Sequence, residues 1–154
     1  MQRILKFTRL LSIILFLGVL LFVYAYLPEQ VGIDADAQNE FSTFIDKEVF
    51  FYVAVTIFLL VNIIFVVFAN LMQMLKVSSD GFFRSDEFKE SIHNWFISFG
   101  LVINLFLISV VAFIGFFNNA DYYNIASFSA FAYVGQAMIF IWIVLFFYLL
   151  MRRK

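Results

Sequence analysis

The sequence predicts an all-α integral membrane protein. The expected architecture is a four-helix bundle with both termini cytoplasmic and a short interfacial amphipathic helix before helix three. Three observations predict it. Hydrophobic residues make up 64% of the 154 positions and charged residues only 14%, whereas a soluble domain is about 45–50% apolar and about 25% charged. Four long stretches carry no charged side chain. Finally, nine of the ten basic residues fall on one side of those stretches, and only Lys47 on the other.

Composition alone excludes several classes. A chain this short cannot enclose so much apolar surface in one water-facing core. With no Cys, a disulfide scaffold is excluded too. β-barrel spans need apolar and polar residues in alternation, but residues 57–61 and 140–144 are apolar throughout.

The chain reads as a single transmembrane domain, residues 1–154, with spans at 10–27, 49–75, 95–119 and 125–151. Crossing about 30 Å of hydrocarbon takes roughly 20 helical residues, so each stretch suffices. Arg3, Lys6 and Arg9 precede the first span. Their positive charge, the apolar run and Val23-Tyr24-Ala25 also suit a cleavable signal peptide. The run is longer than a usual signal core, which favours an uncleaved first helix.

The outer loop, 28–48, is acidic, with Glu29, Asp34, Asp36, Glu40, Asp46 and Glu48 against Lys47. Its Asp34-Ala35-Asp36 run looks like the start of a calcium loop. The Gly and Glu that such a loop needs at its sixth and twelfth positions are replaced by Asn39 and Ile45. Phe41, Phe44 and Ile45, at helical spacing, predict one short amphipathic turn before helix two. Tyr24, Tyr26, Tyr52, Tyr122 and Tyr123 gather near that boundary, as interfacial aromatics do.

Between helices two and three lies a polar loop, 76–94, with Lys76, Arg84 and Lys89. Ser78-Ser79-Asp80-Gly81 reads as a turn. Ser85 is placed to cap a helix whose first turn carries Asp86 and Glu87, both favourable at the positive helix end. Phe88, Ile92, Trp95 and Phe96 then form one apolar stripe, the candidate interface helix for membrane or partner. Lys89, Glu90, His93 and Asn94 fall on other faces. Arg152, Arg153 and Lys154 follow helix four and complete the basic side. Basic residues mark the cytoplasmic side of inner-membrane proteins, which orients the chain.

The run Gly81-Phe82-Phe83-Arg84-Ser85-Asp86-Glu87-Phe88-Lys89, a Gly-x-Phe turn after the second span and then a polar short helix, resembles an uncharacterised family of four-span bacterial membrane proteins. The resemblance covers the span order and this loop, and implies a bacterial inner-membrane location. Its members are often encoded beside a small helix-turn-helix regulator. The family usually has Pro before the loop Phe, where this chain has Phe82.

Chemistry-bearing groups are scarce. His93 is the one histidine, there is no Cys, and the six glycines are scattered. Zinc sites of the usual kind, bis-histidine haem and a phosphate loop all lack their residues. No cofactor and no enzymatic activity are expected. A pI near 5.7 with dispersed basic residues also argues against nucleic acid. All charged residues are expected outside the spans or at their ends, whereas ion-coupled transporters use intramembrane charge.

The spans do carry polar residues: Thr56, Asn62, Asn70, Gln73, Ser98, Asn104, Ser109 and Gln136. An amide in hydrocarbon needs a partner. Asn62 and Asn104 stand within about one turn of the same depth on antiparallel helices and are expected to pair; Gln136 is a third candidate interhelical contact. Small residues at Ser109, Ala112 and Gly115, and at Ala126, Ala130 and Ala137, suit close helix approach.

The resulting expectation is a non-catalytic accessory or scaffold subunit of a larger multi-subunit inner-membrane complex. It would meet lipid and partner subunits through apolar helix faces and loops. Two alternatives are a homo-oligomeric channel for a small or neutral solute, lined by Asn62, Asn104, Thr56 and Gln136, and a membrane-embedded modulator of a neighbouring regulator.

Overall fold

The structure, a computed structural model, describes residues 2–35, 41–78, 81–119 and 129–152. Within these residues the chain runs α1 (Gln2–Tyr26), β1 (Gln30–Ala35), β2 (Phe41–Asp46), α2 (Lys47–Met74), α3 (Asp86–Phe117) and α4 (Ser129–Met151). Each helix is long and apolar enough to cross a membrane. Tyr122, Tyr123, Asp36, Asn39, Ser79, Asp80, Ala126 and the terminal Arg153 and Lys154 lie outside the described residues.

α3 is the hub. The backbones of α1, α2 and α4 each run close against it; α1 and α2 meet mainly through long side chains such as Phe16 and Phe58, and α4 rests mainly on α3. The arrangement is therefore three helices around a central one rather than an evenly shared bundle. Close approach is set by glycines. A Cβ on Gly115 of α3 would meet both Val23 methyls of α1 at 2.9 Å, and one on Gly135 of α4 would meet the Phe106 ring of α3 at 2.6 Å.

One end of the molecule carries the hairpin and the other the chain termini. At the hairpin end, Phe16, Leu20 and Val23 of α1 and Leu27 just after it join Val31, Phe50, Phe58 and Val111 in the main core. Phe16 and Phe58 stack with centroids 3.9 Å apart and planes 2° from parallel. A second, smaller core at the terminal end gathers Phe83, Phe88 and Ile92, with Met72, Phe146, Leu149 and Leu150 against them.

Two local expectations are corrected. The amphipathic turn expected at Phe41, Phe44 and Ile45 is a strand: β2 pairs antiparallel with β1, setting Val31 opposite Ile45 and Gly32 opposite Phe44. Phe41-Ser42-Thr43-Phe44-Ile45 is aromatic and β-branched, which suits a strand, and pairing satisfies backbone groups that a lone turn leaves open. The interfacial helix expected before helix three is not separate. Ser85 caps α3, its hydroxyl accepting from the Phe88 N–H at 3.2 Å. No Pro or Gly interrupts the chain from there to Gly100, so one helix of 32 residues results. At a 1.5 Å rise that is about 48 Å, well beyond the ~30 Å of a hydrocarbon core.

Before Ser85 the chain is tied back by a parallel bridge between Val77 and Phe83. The Ser78 N–H donates to the Phe83 carbonyl at 2.9 Å and the Gly81 N–H to the Ser78 carbonyl at 3.1 Å. That tight loop inserts Phe83, 1% exposed, under α3.

Candidate functional site

The most concentrated polar structure is a seam where α1, α2 and α3 meet. Asn62 of α2 donates through Nδ2 to Asn104 Oδ1 at 2.8 Å, and Asn104 donates back through Nδ2 to Asn62 Oδ1 at 3.2 Å. Asn104 Nδ2 also donates to Ser12 Oγ of α1 at 3.0 Å. Ser12 in turn donates to the Arg9 carbonyl at 2.7 Å, and Asn62 Nδ2 to the Phe58 carbonyl at 2.9 Å. Asn104 is 0% exposed, so its amide is satisfied entirely by protein.

This seam is built for cohesion. A reciprocated amide pair uses the donors and acceptors that would be costly alone in an apolar interior. It offers no polar lining for a path through the chain. Thr56, also weighed as a channel residue, sits on the exposed side of α2.

Arg9 adds a charge to the seam. The sequence places it before the first span, but α1 starts at Gln2 and carries Arg9 into the helix packing. Its Nη2 donates to the Asn62 carbonyl at 3.4 Å, while Nε is buried without a partner. One turn of helix is enough to bring it to the level of Ser12. Arg9 thus stands at the end of the first expected span, where charge is expected, and its side chain packs against α2.

At the terminal end, α3 is enclosed on several sides at once. Phe88 and Ile92 are buried in the second core and Phe96 packs on its edge. This stripe is thus largely consumed within the chain, leaving little of it as a free docking face. His93 and Asn94, expected on polar faces, are 7% and 8% exposed. The His93 ring places Nδ1 3.0 Å from the Ala69 carbonyl of α2, so the proton sits on Nδ1 and the bond ties α3 to α2. Both residues are enclosed because the hub helix has neighbours around it.

Trp95 belongs to a polar link between α3 and α4. Its Nε1 donates to the Trp142 carbonyl at 2.9 Å, Trp142 Nε1 donates to Ser98 Oγ at 3.0 Å, and Ser98 Oγ donates to the Trp95 carbonyl at 3.0 Å. The Trp95 ring also lies against Phe146, centroids 4.5 Å apart. Gln136 takes no part in either network and stands on the exposed side of α4.

Sequence reasoning missed Ser12, Arg9, Asn118 and Trp142. Ser12 is the only polar residue in the first span before Tyr24, and that isolation was a usable signal. Lys47, the lone base at the hairpin end, donates from Nζ to the Leu27 carbonyl at 3.0 Å and lies 4.8 Å over the Tyr24 ring. It satisfies the carbonyl end of α1, where positive charge is favoured.

Among the described residues no three His, Cys, Asp or Glu side chains come together as a metal site. What the described geometry can do chemically is hold helices together and present apolar surface. Neither a protein-family model, nor a curated protein, nor a solved structure matches this chain.

Proposed function

We propose that the chain is a non-catalytic accessory or scaffold subunit of a larger inner-membrane complex, spanning the bilayer four times. The observation that carries this reading is Gln136. It is exposed on α4, 15 residues before Met151 and so about 22 Å from the terminal end of that helix. At that depth an unpartnered amide faces hydrocarbon, which costs free energy unless another helix supplies a partner. Tyr133, Phe140, Val144 and Phe147 stand exposed on the same helix, at spacings that continue one face.

The internal arrangement agrees. The two amides of the seam are used inside the chain, whereas Gln136, like Thr56 and Asn70 on α2, presents an exposed polar side chain to a neighbour. The basic residues at the terminal end support cytoplasmic termini. The family resemblance of residues 81–89 supports a bacterial inner membrane.

The test is a photocrosslinking residue at Gln136, compared with one at Leu59 on α2, in the full-length protein in cells. A discrete stoichiometric partner captured from Gln136 and not from Leu59, and retained in mild detergent, is the expected result. A homogeneous homo-oligomer that passes solute in liposomes overturns it in favour of the channel.

A further inference from the structure

The uncharged length of the bundle differs from one helix to the next. Lys47, the first residue of α2, donates from Nζ to the Leu27 carbonyl just after α1, so these two helices are level at the hairpin. From there α1 is uncharged from Tyr26 back to Leu10, 17 residues or about 26 Å. α2 is uncharged from Val49 to Met74, 26 residues or about 39 Å. The α1 side therefore meets its first terminal-end charge, Arg9, about 13 Å sooner.

Arg9 has no counter-charge in the apolar length of the helices. Its Nη2 meets the Asn62 carbonyl at 3.4 Å. Nε is enclosed by packing, and the half-buried side chain leaves Nη1 open. Asn62 is 15 residues past Lys47, about 22 Å from the hairpin end. A hydrocarbon core of ~30 Å that starts there runs about 8 Å farther. Val67, Phe68 and Leu71 of α2, all nearer the terminal end than Asn62, are indeed exposed apolar residues. No Asp or Glu occurs in α1, in α2 after Glu48, in α3 after Glu90 or in α4. A cation at that depth is costly unless an anion or water reaches it, and local thinning of the bilayer is one route.

We propose that Arg9 binds the phosphate of a phospholipid drawn inward along α1, so that the leaflet at the terminal end is thinner beside α1 than beside α2. Nη1 donates to the phosphate oxygens, a charge-assisted bond that suits a guanidinium. Arg3 stands exposed six residues nearer the terminal end on the same helix and adds positive charge above the site. Ile4, Phe7, Leu10 and Leu11 are exposed around it, which fits acyl chains. Thinning of this kind is how a bilayer meets a span shorter than its core. The face proposed for a protein partner is on α4, which rests mainly on α3, so a lipid is the occupant favoured at α1. The inference rests on the chain spanning a membrane, and not on its having a protein partner.

The test uses the full-length protein. In mild detergent, native mass spectrometry reads retention of phosphatidylglycerol, with inorganic phosphate as competitor. The parent is expected to retain the lipid at least about fivefold better than Arg9→Gln, the loss of one charge-assisted bond, with Arg9→Lys between them. Arg84→Gln, which removes an exposed base at the same end, should leave retention within about twofold. In bilayers, solid-state NMR is run on a chain carrying Arg3→Lys, Arg84→Lys, Arg152→Lys and Arg153→Lys, which keeps Arg9 as its one arginine. Its Cζ should lie within about 5 Å of lipid phosphorus.

Absence of that contact overturns the proposal and leaves a carboxylate of a partner helix as the counter-charge. Equal losses in Arg9→Gln and Arg84→Gln overturn it too, since they would reflect net charge alone. Displacement of the lipid by inorganic phosphate would make Arg9 an open anion site and overturns the lipid assignment. Loss of crosslinking at Gln136 bears on the subunit reading alone, since that residue is on α4.

Discussion

The side-chain amide of Asn118 grips both backbone polar groups of Gly32. Oδ1 accepts from the Gly32 N–H at 2.7 Å, and Nδ2 donates to the Gly32 carbonyl at 2.9 Å. The residue that caps the hub helix thereby serves β1 as a third strand would, and fixes the hairpin on the end of the bundle. Phe41 adds to the clamp by lying against Phe117, centroids 4.9 Å apart and nearly edge-on. A Cβ on Gly32 would run into the Phe41 ring.

Asn118→Leu should free the hairpin without unfolding the helices. Two buried backbone groups lose their partner, and each unsatisfied group costs about 1–3 kcal/mol. Hydrogen exchange of β1 and β2 should accelerate at least tenfold, with helical circular dichroism unchanged. Exchange protection equal to that of the parent would show that strand pairing alone holds the hairpin.

Asn104→Leu should destabilise more than the Asn62→Leu/Asn104→Leu double variant. The single change leaves Asn62 and Ser12 facing an apolar side chain, whereas the double change removes both amides. Interhelical bonds of this type are worth about 0.6–2 kcal/mol, and the coupling in a double-mutant cycle should fall in that range. Unfolding in mixed micelles measures it, and additive effects would contradict the pairing.

Gly115→Ala should lower the melting temperature, and Val23→Ala in the same chain should recover part of the loss. The new methyl meets two Val23 methyl carbons at 2.9 Å, and overpacking of this kind costs about 1–3 kcal/mol. Absence of recovery would place the strain elsewhere.

Trp142→Phe should loosen α4 from α3. It removes the N–H bond to Ser98 Oγ and leaves the Trp95 Nε1 bond to the backbone carbonyl of residue 142 as the polar link described between the two helices there. Disulfide trapping between cysteines placed at Ser98 and Trp142 neighbours should slow about tenfold, while trapping between α1 and α3 keeps its rate. Equal rates in the two variants would mean that ring packing alone fixes α4.

Particular residues show how much could be read in advance. Ser85 capping α3 was legible, because a Ser followed by Asp86 and Glu87 has a local physical reason to start a helix. Asn62 and Asn104 were legible as a pair because antiparallel helices convert residue counts into depth. The hairpin was not legible: Phe41, Phe44 and Ile45 fit a helical face equally well, and only pairing with residues 30–35 decides for a strand. The inward position of Arg9 was equally hidden, since its partner is a carbonyl 53 positions away.

The sequence by itself determined four apolar helices, the sorting of basic residues to one end, and the shortage of catalytic groups. These follow from local composition, which acts residue by residue on the free energy of transfer and on helix length. Only the tertiary structure decided that α3 is the hub. Its apolar pattern differs little from that of α1 or α2, so nothing local marks it as the helix with neighbours around it. Which faces are consumed inside the chain, and which remain for lipid or a partner, depends on how helices of nearly equal hydrophobicity fit together. In hydrocarbon that choice falls to small residues such as Gly115 and to amides such as Asn104, because apolar burial no longer distinguishes one face from another.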